Sequence, residues 1–320
     1  MPDFSTETIG IVLPRVATPA LFRRALQSIR AQSVGDWRLV ITQSPEANEN
    51  MRRVAEVVLS EPDPRIAFLP DMDVETESEA INRALDSLDT ELAIIHSECD
   101  SWSPDFLAVM TRIYDTKRAL LPGLKGIVSG VAAVEETVSG AHITIDSVTD
   151  WHPPGSVDDL HDGVLDIRRI VVGNPFPAIA FLFDRREARE IGFYDTTLPL
   201  LAEWEFHQRF CLRNDVWVHA ERLAFHHVAT DRTDPLDQAA YGALLTNRWV
   251  RREGEAGLGT LRILQALSAL PRTSAPPKPP RKDDKETPKP PTNPRTPAKK
   301  QKGKIGTALS KLNRARKRWI

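Results

Sequence analysis

Short apolar runs alternate with amphipathic stretches through the first hundred residues. Residues 9–14 (IGIVLP) form a continuous apolar run of strand length, and 37–42 (WRLVIT), 66–69 (IAFL) and 91–96 (ELAIIH) repeat that character. Between the first two, residues 19–32 place Leu21, Ala25 and Ile29 at helical spacing behind a proline suited to a first turn. Residues 48–59 and 77–88 read as further helices. Strand and helix alternating at this spacing predict parallel strands joined by right-handed crossovers. In such sheets ligands bind beyond the carboxyl ends of the strands, so chemistry is expected just after Leu13, Thr42, Leu69 and His96.

The second half is mixed. Residues 125–135, 141–148, 167–172, 178–183 and 216–225 read as strands, and 185–191 and 200–213 as helices. Residues 149–165, rich in Asp, Pro and His, read as a loop, and 235–270 as mostly helical with a break near 254–259. At Pro271 the periodicity stops. Ten of the chain's 25 prolines fall in 271–297 among Lys, Thr and Arg. Such a segment cannot bury enough apolar surface to offset chain entropy, so 271–303 is expected to be a disordered linker. Residues 304–320 (KIGTALSKLNRARKRWI) then return Ile305, Ala308, Leu309, Leu312 and Trp319 at helical spacing among basic residues. That is the pattern of an amphipathic helix on an anionic membrane surface, with a solvated basic end or a helix docked on a protein as the other readings.

Charge sharpens this division. From Arg272 onward there are 16 Lys and Arg against 3 acids, while the remainder holds 26 bases and 41 acids, so a net charge of −2 conceals an acidic body and a basic tail. An acidic body argues against a nucleic-acid-binding domain. Two cysteines, Cys99 and Cys211, imply no disulfide framework and suit a reducing, cytoplasmic compartment. The opening MPDFSTETIG lacks the basic and apolar regions of a signal peptide, and no run of about 18 apolar residues occurs.

The chemistry-bearing stretch is 91–110, ELAIIHSECDSWSPDFLAVM, in which a buried strand runs into an acidic turn, Trp102, Pro104 and a helix. Glu98 and Asp100 put two acids in that turn, where one reading is that they merely cap the following helix. A second constellation, LAEWEFHQR at 201–209, puts Glu203 at a helix start. There the dipole should depress its pKa, and His207 follows one turn later. A third, LAFHHVATD at 223–231, places His226 and His227 after a strand.

The order of these features resembles the family-2 glycosyltransferases of GT-A fold, over roughly residues 8–230. The resemblance rests on a first strand ending at Pro14 and on Leu21, Leu26, Ser28, Ile29, Gln32 and Trp37 in and after the first helix. It continues through Ala80-Ile81-Asn82, Glu98-Cys99-Asp100, Trp102 with Pro104-Asp105-Phe106-Leu107, residues 175–193 with the corner Gly192-Phe193-Tyr194-Asp195, and Glu203-Trp204-Glu205-Phe206. It implies an α/β GT-A fold, a Rossmann-like, mostly parallel central sheet flanked by helices, at 1–233. A helical extension at 234–270 and the disordered basic tail would follow.

It also implies inverting, metal-dependent transfer of a sugar from a nucleotide diphosphate sugar to an acceptor hydroxyl. A glycan or lipid-linked acceptor in envelope or surface glycan synthesis would fit, and the tail would hold the enzyme peripherally at the inner face of the membrane. Glu203 would be the base. Glu98 and Asp100 would hold Mg²⁺ or Mn²⁺ with His226 or His227, and Pro14, Arg15, Gln43, Asn82 and Glu98 would contact the donor.

The sequence departs from the family where Gln43-Ser44 replaces an acidic pair after the second strand and where Arg15-Val16-Ala17 replaces Thr-Tyr-Asn. These changes leave a catalytically inactive binding or regulatory relative as the alternative. A nucleotidyltransferase fits less well, because residues 14–19 contain no glycine for a phosphate loop.

Overall fold

The computed structural model describes residues 9–16, 18–43, 62–69, 76–139, 142–152, 161–198, 200–229 and 247–249, with the single residues 56, 60 and 245. The chain divides into two units, Met1–Pro271 and Arg272–Ile320. The linker and terminal helix expected beyond 270 lie outside the described residues. So does most of the 234–270 extension, of which residues 245 and 247–249 are helical.

Four strands, β1 (Ile9–Val16), β2 (Trp37–Gln43), β3 (Ile66–Leu69) and β4 (Leu92–Ile95), pair in parallel in the order β3-β2-β1-β4. β1 lies in the middle with seven of its eight residues buried, which is why it reads as an unbroken apolar run. Helix α1 (Pro19–Arg30) buries Leu21, Phe22, Ala25, Leu26 and Ile29 as one stripe. Helix α2 (Glu77–Ser87) starts from a capping box, in which the Thr76 side chain accepts from Glu79 N–H and the Glu79 carboxylate accepts from Thr76 N–H.

The sheet then continues through β9 (Phe181–Asp184), β6 (Leu124–Ser139), β10 (Asp215–Ala229) and the short β5 (Ser101–Trp102). Strand β7 (His142–Asp150) pairs with β6, and β8 (Gly163–Val164) with β10. Because β9 is antiparallel to both β4 and β6, and β10 is parallel to β6, both β6 and β10 run in the direction of β1–β4. The central sheet is therefore mostly parallel, with β9 reversed within it. Helices α3 (Phe106–Arg118), α4 (Ile167–Val172), α5 (Arg185–Glu190) and α6 (Ala202–Arg213) complete the fold.

Two expectations change. Residues 167–172 (IRRIVV) are helical rather than extended. Asp166 accepts from Arg168 N–H as an N-cap, and Ile170 is fully buried, so capping and packing override the β-branched composition. Residues 178–180 form a 3₁₀ turn before β9 begins at Phe181. Among the described residues no helix is long and apolar enough to cross a membrane.

Several resemblance-bearing residues prove to be fasteners. Gln32 donates to the Ser28 and Ser103 carbonyls and accepts from Leu107 N–H, stitching the end of α1 to the start of α3. Trp102 is buried, donates to the Ile179 carbonyl at 2.9 Å and stacks on Phe106, so it belongs to the core.

Candidate active site

A cleft of about 580 Å³ opens where the parallel strands end. Pro14 and Arg15 from the end of β1 line it, with His96, Ser97 and Asp100 after β4, residues 76–78 at the start of α2, Glu203 on α6 and His226 on β10. The parallel arrangement that the sequence predicts thus gathers three separate constellations onto one wall. Two of the described non-glycine residues with positive φ, Arg15 (47°) and Leu201 (62°), also lie here. Backbone in that region costs energy and persists where surrounding structure holds it.

The acidic turn divides its labour. Glu98 Oε2 accepts from Thr18 N–H at 3.0 Å, which draws it toward the entrance of α1 and off the cleft wall. Asp100 is 3% exposed, and its Oδ1 accepts from His227 N–H (2.9 Å) and meets His226 Nδ1 (3.1 Å). Neither acid caps α3, whose N-cap is Asp105. Burial opposes protonation of His226, but the hydrogen bond with Asp100 and the charges of Asp100 and Glu203 outweigh it and raise its pKa.

His227 does not face the cleft, which corrects its assignment as a candidate ligand. Its Nε2 meets Ser101 Oγ at 2.9 Å and its Nδ1 meets Glu136 at 2.8 Å, so both ring nitrogens are engaged. Behind it Arg24 forms an ion pair with Glu136 at 2.5 Å and donates to the Cys99 carbonyl. The turn is therefore held by a network of the part-buried Arg24 with the buried Glu136 and His227, which the sequence motifs do not reveal.

Asn82 is likewise displaced from its expected role. Its Nδ2 donates to the Tyr194 carbonyl (2.8 Å) and its Oδ1 accepts from Tyr194 N–H (3.0 Å), which clamps the corner after Gly192 and leaves Asn82 off the cleft wall. Gln43 ends β2, and its side chain lies outside the described residues.

Glu203 sits at the second residue of α6, half-buried, with protein around its carboxylate and one side toward the cleft. Asn174 Nδ2 (2.7 Å) and Ala178 N–H (3.2 Å) both donate to Oε1. Burial pushes its pKa up to about 7, although Asn174 and His226 pull the other way. The expected depression by the helix dipole is thus overturned, because desolvation outweighs it. His207 is buried, its Nδ1 meets Asn174 Oδ1 at 2.9 Å, and burial takes its pKa down to about 3.

The donor set fits a divalent ion only in part. Asp100 Oδ2 and His226 Nε2 take no hydrogen bond from described residues, whereas Glu98 is turned to Thr18. Among the described residues no three His, Cys, Asp or Glu side chains converge as a metal-binding group. An ion here would complete its shell with water or phosphate oxygens.

No protein-family model matches the sequence, and no curated protein matches it. Solved structures do. S. aureus TarS 1–349 in complex with UDP-GlcNAc matches with a TM-score of 0.56 at 11% identity, over 76% of this chain and 66% of that one. The mannosyltransferase PcManGT from Pyrobaculum calidifontis, in complex with GDP-Man and Mn²⁺, matches with a TM-score of 0.56 at 12% identity, over 82% and 69%. In a further structure of TarS 1–349 (TM-score 0.52, 10% identity, 69% of this chain) the match spans 60% of that chain's length. At these identities the likeness is one of fold, and the GT-A resemblance carried by the sequence motifs holds at that level.

Proposed function

We propose that this chain is a glycosyltransferase that moves a sugar from a nucleotide diphosphate sugar to an acceptor hydroxyl with inversion. The observation that carries this reading is the convergence of Asp100, His226 and Glu203 on one cleft beyond the ends of β1 and β4. The TarS and PcManGT structures hold UDP-GlcNAc and GDP-Man, which makes a nucleotide sugar the donor class to test. Pro14, Arg15 and the end of β2 would receive the nucleotide, and Asp100 with His226 would hold Mg²⁺ or Mn²⁺ against the diphosphate. When bound, such an ion neutralises charge developing on the leaving nucleotide.

Glu203 performs the proton transfer. With a pKa of about 7 it is a carboxylate in a substantial fraction of molecules at neutral pH, yet basic enough to take the acceptor's proton as its oxygen attacks the anomeric carbon. Ala178 N–H and Asn174 occupy Oε1, and Oε2 is left for the acceptor. The acidic body and basic tail suit a chain held at an anionic membrane surface near a lipid-linked or envelope glycan.

The test is a screen of UDP- and GDP-sugars for hydrolysis and transfer, with Mn²⁺, Mg²⁺ or EDTA. Activity that EDTA removes, and that needs a higher Mn²⁺ or Mg²⁺ concentration in Asp100→Asn than in the parent, fits the proposal. One observation favours a second reading, an inactive binding protein: the described residues bring no three metal ligands together. Calorimetric binding of a nucleotide sugar with no turnover by any donor would select that second reading.

A further inference from the structure

The segment 173–178 (GNPFPA) joins α4 to the 3₁₀ turn, and its chemistry is aimed at Glu203. Pro175 and Pro177 fix their own φ and restrict the residues before them, so Asn174 and Phe176 have little backbone freedom. Ala178 opens the 3₁₀ turn, where its N–H has no partner within the turn and donates instead to Glu203 Oε1 at 3.2 Å. Asn174 Nδ2 donates to the same oxygen at 2.7 Å.

An amide can present either end, and its other end decides which. Asn174 Oδ1 lies 2.9 Å from His207 Nδ1, which must carry the proton to make that contact. His207 is fixed in turn, boxed by Phe176 (4.7 Å between ring centroids), Phe181 (5.1 Å) and Phe206 (5.9 Å). In that aromatic box the ring stays neutral, so it anchors the amide without adding a charge near the carboxylate.

We propose that Asn174, oriented by His207, is a positioning residue that ties down Oε1 of Glu203 and leaves Oε2 as its proton-accepting oxygen. The donation also stabilises the ionised carboxylate, and so lowers the pH at which Glu203 becomes a base, together with the charge of His226 and against burial and the charge of Glu77. The base role itself rests on the function proposed above; the tie from His207 through Asn174 to Glu203 does not.

The experiment follows Glu203 by ¹³C NMR titration of its side-chain carboxyl in the full chain, alongside the pH profile of transfer. Four variants are compared: Asn174→Ala, Asn174→Ser, His207→Phe and His207→Gln. Asn174→Ala removes the donor and should move the Glu203 midpoint up by about one pH unit, the scale of a hydrogen bond to a charged group. Asn174→Ser keeps a small hydroxyl in case the alanine variant fails to fold, and should give a smaller upward shift. His207→Phe fills the aromatic box without an N–H and should shift the midpoint the same way, while His207→Gln restores a donor to Asn174 and should return it toward the starting value.

A midpoint that stays in place in folded Asn174→Ala or Asn174→Ser overturns the proposal, as does a His207→Gln variant that behaves like His207→Phe. If no donor is turned over, the base reading fails, yet the NMR midpoints still decide whether Asn174 governs Glu203.

Discussion

Two glutamates beside this sheet both lose solvent to the surrounding protein, and their carboxyl pKa values are shifted in opposite directions. Glu136, on β6, is 2% exposed, and burial alone would favour its neutral form. The hydrogen bonds and charges of Arg24 and His227 reverse that and lower its pKa. Glu203, on α6, receives only an amide and a backbone N–H, and burial carries its pKa up to about 7. Enclosure is common to both, so the partner decides. A cation in hydrogen-bonding contact makes a permanent anion that can brace a turn, whereas dipoles alone leave a group poised to exchange a proton near neutrality.

The largest effect should come from removing the poised group. Glu203→Gln keeps the shape and the Oε1 acceptor but cannot take a proton. Transfer should fall by about 10²–10⁴-fold with donor affinity retained. The sign of its pH dependence follows from the raised pKa. The unfolded chain releases this proton near the usual carboxylate range and the folded chain near 7, so Glu203 lowers stability progressively as pH rises between those values. Glu203→Gln should therefore melt higher than the parent at pH 8 and about equally at pH 4. An unchanged rate would strip Glu203 of the base role, and a difference in melting that did not depend on pH would contradict its raised pKa.

The braced glutamate should respond through stability. Arg24→Ala leaves Glu136 enclosed with only His227 beside it and takes a donor from the Cys99 carbonyl. Breaking one side of a buried pair costs about 3–5 kcal/mol, and the lower figure is the expectation because Arg24 is 20% exposed. A depressed carboxylate pKa contributes stability above the unfolded value, and that contribution is lost as pH falls through the folded value. The gap between parent and Arg24→Ala should therefore narrow in acid, which denaturant titrations at pH 7 and pH 3.5 would measure. A gap independent of pH would mean that packing of the arginine stem, rather than the ion pair, supplies the stability.

These two sites were unequally legible in the sequence. The strands β1 to β4 stand within two residues of where apolar runs put them, because a strand buried on both faces has no polar position to blur it. Glu203, Asp100 and His226 were reachable through the order of the motifs around them. Glu136 had a weaker signal: in VEET, period two puts it on the same face as Val134, and that inward acid implies an unseen cation. Asn174 had none, since a single amide between two prolines matches no spacing rule and gains meaning only when α6 is folded against it. The helix at 167–172 was missed because its composition favours a strand and a single capping aspartate reverses it.

The smallest expected effect distinguishes a ligand from a fastener. Asn82 occupies a position at which the family resemblance implies donor contact, yet both ends of its amide are engaged by the Tyr194 backbone. Asn82→Ala removes two neutral hydrogen bonds at a partly exposed corner, a loss of about 1–2 kcal/mol in unfolding free energy. Tyr194 itself lines the cleft, so the corner it belongs to should loosen and transfer should fall a few-fold, while Kd for the nucleotide diphosphate stays near its parent value. The opposite pattern, unchanged stability with Kd weakened by about tenfold or more, would mean that Asn82 gives up the clamp to reach the donor. Equilibrium unfolding and nucleotide titration on the same preparation decide between them, because a clamp acts on the fold whether or not ligand is present and a donor contact acts only when it is.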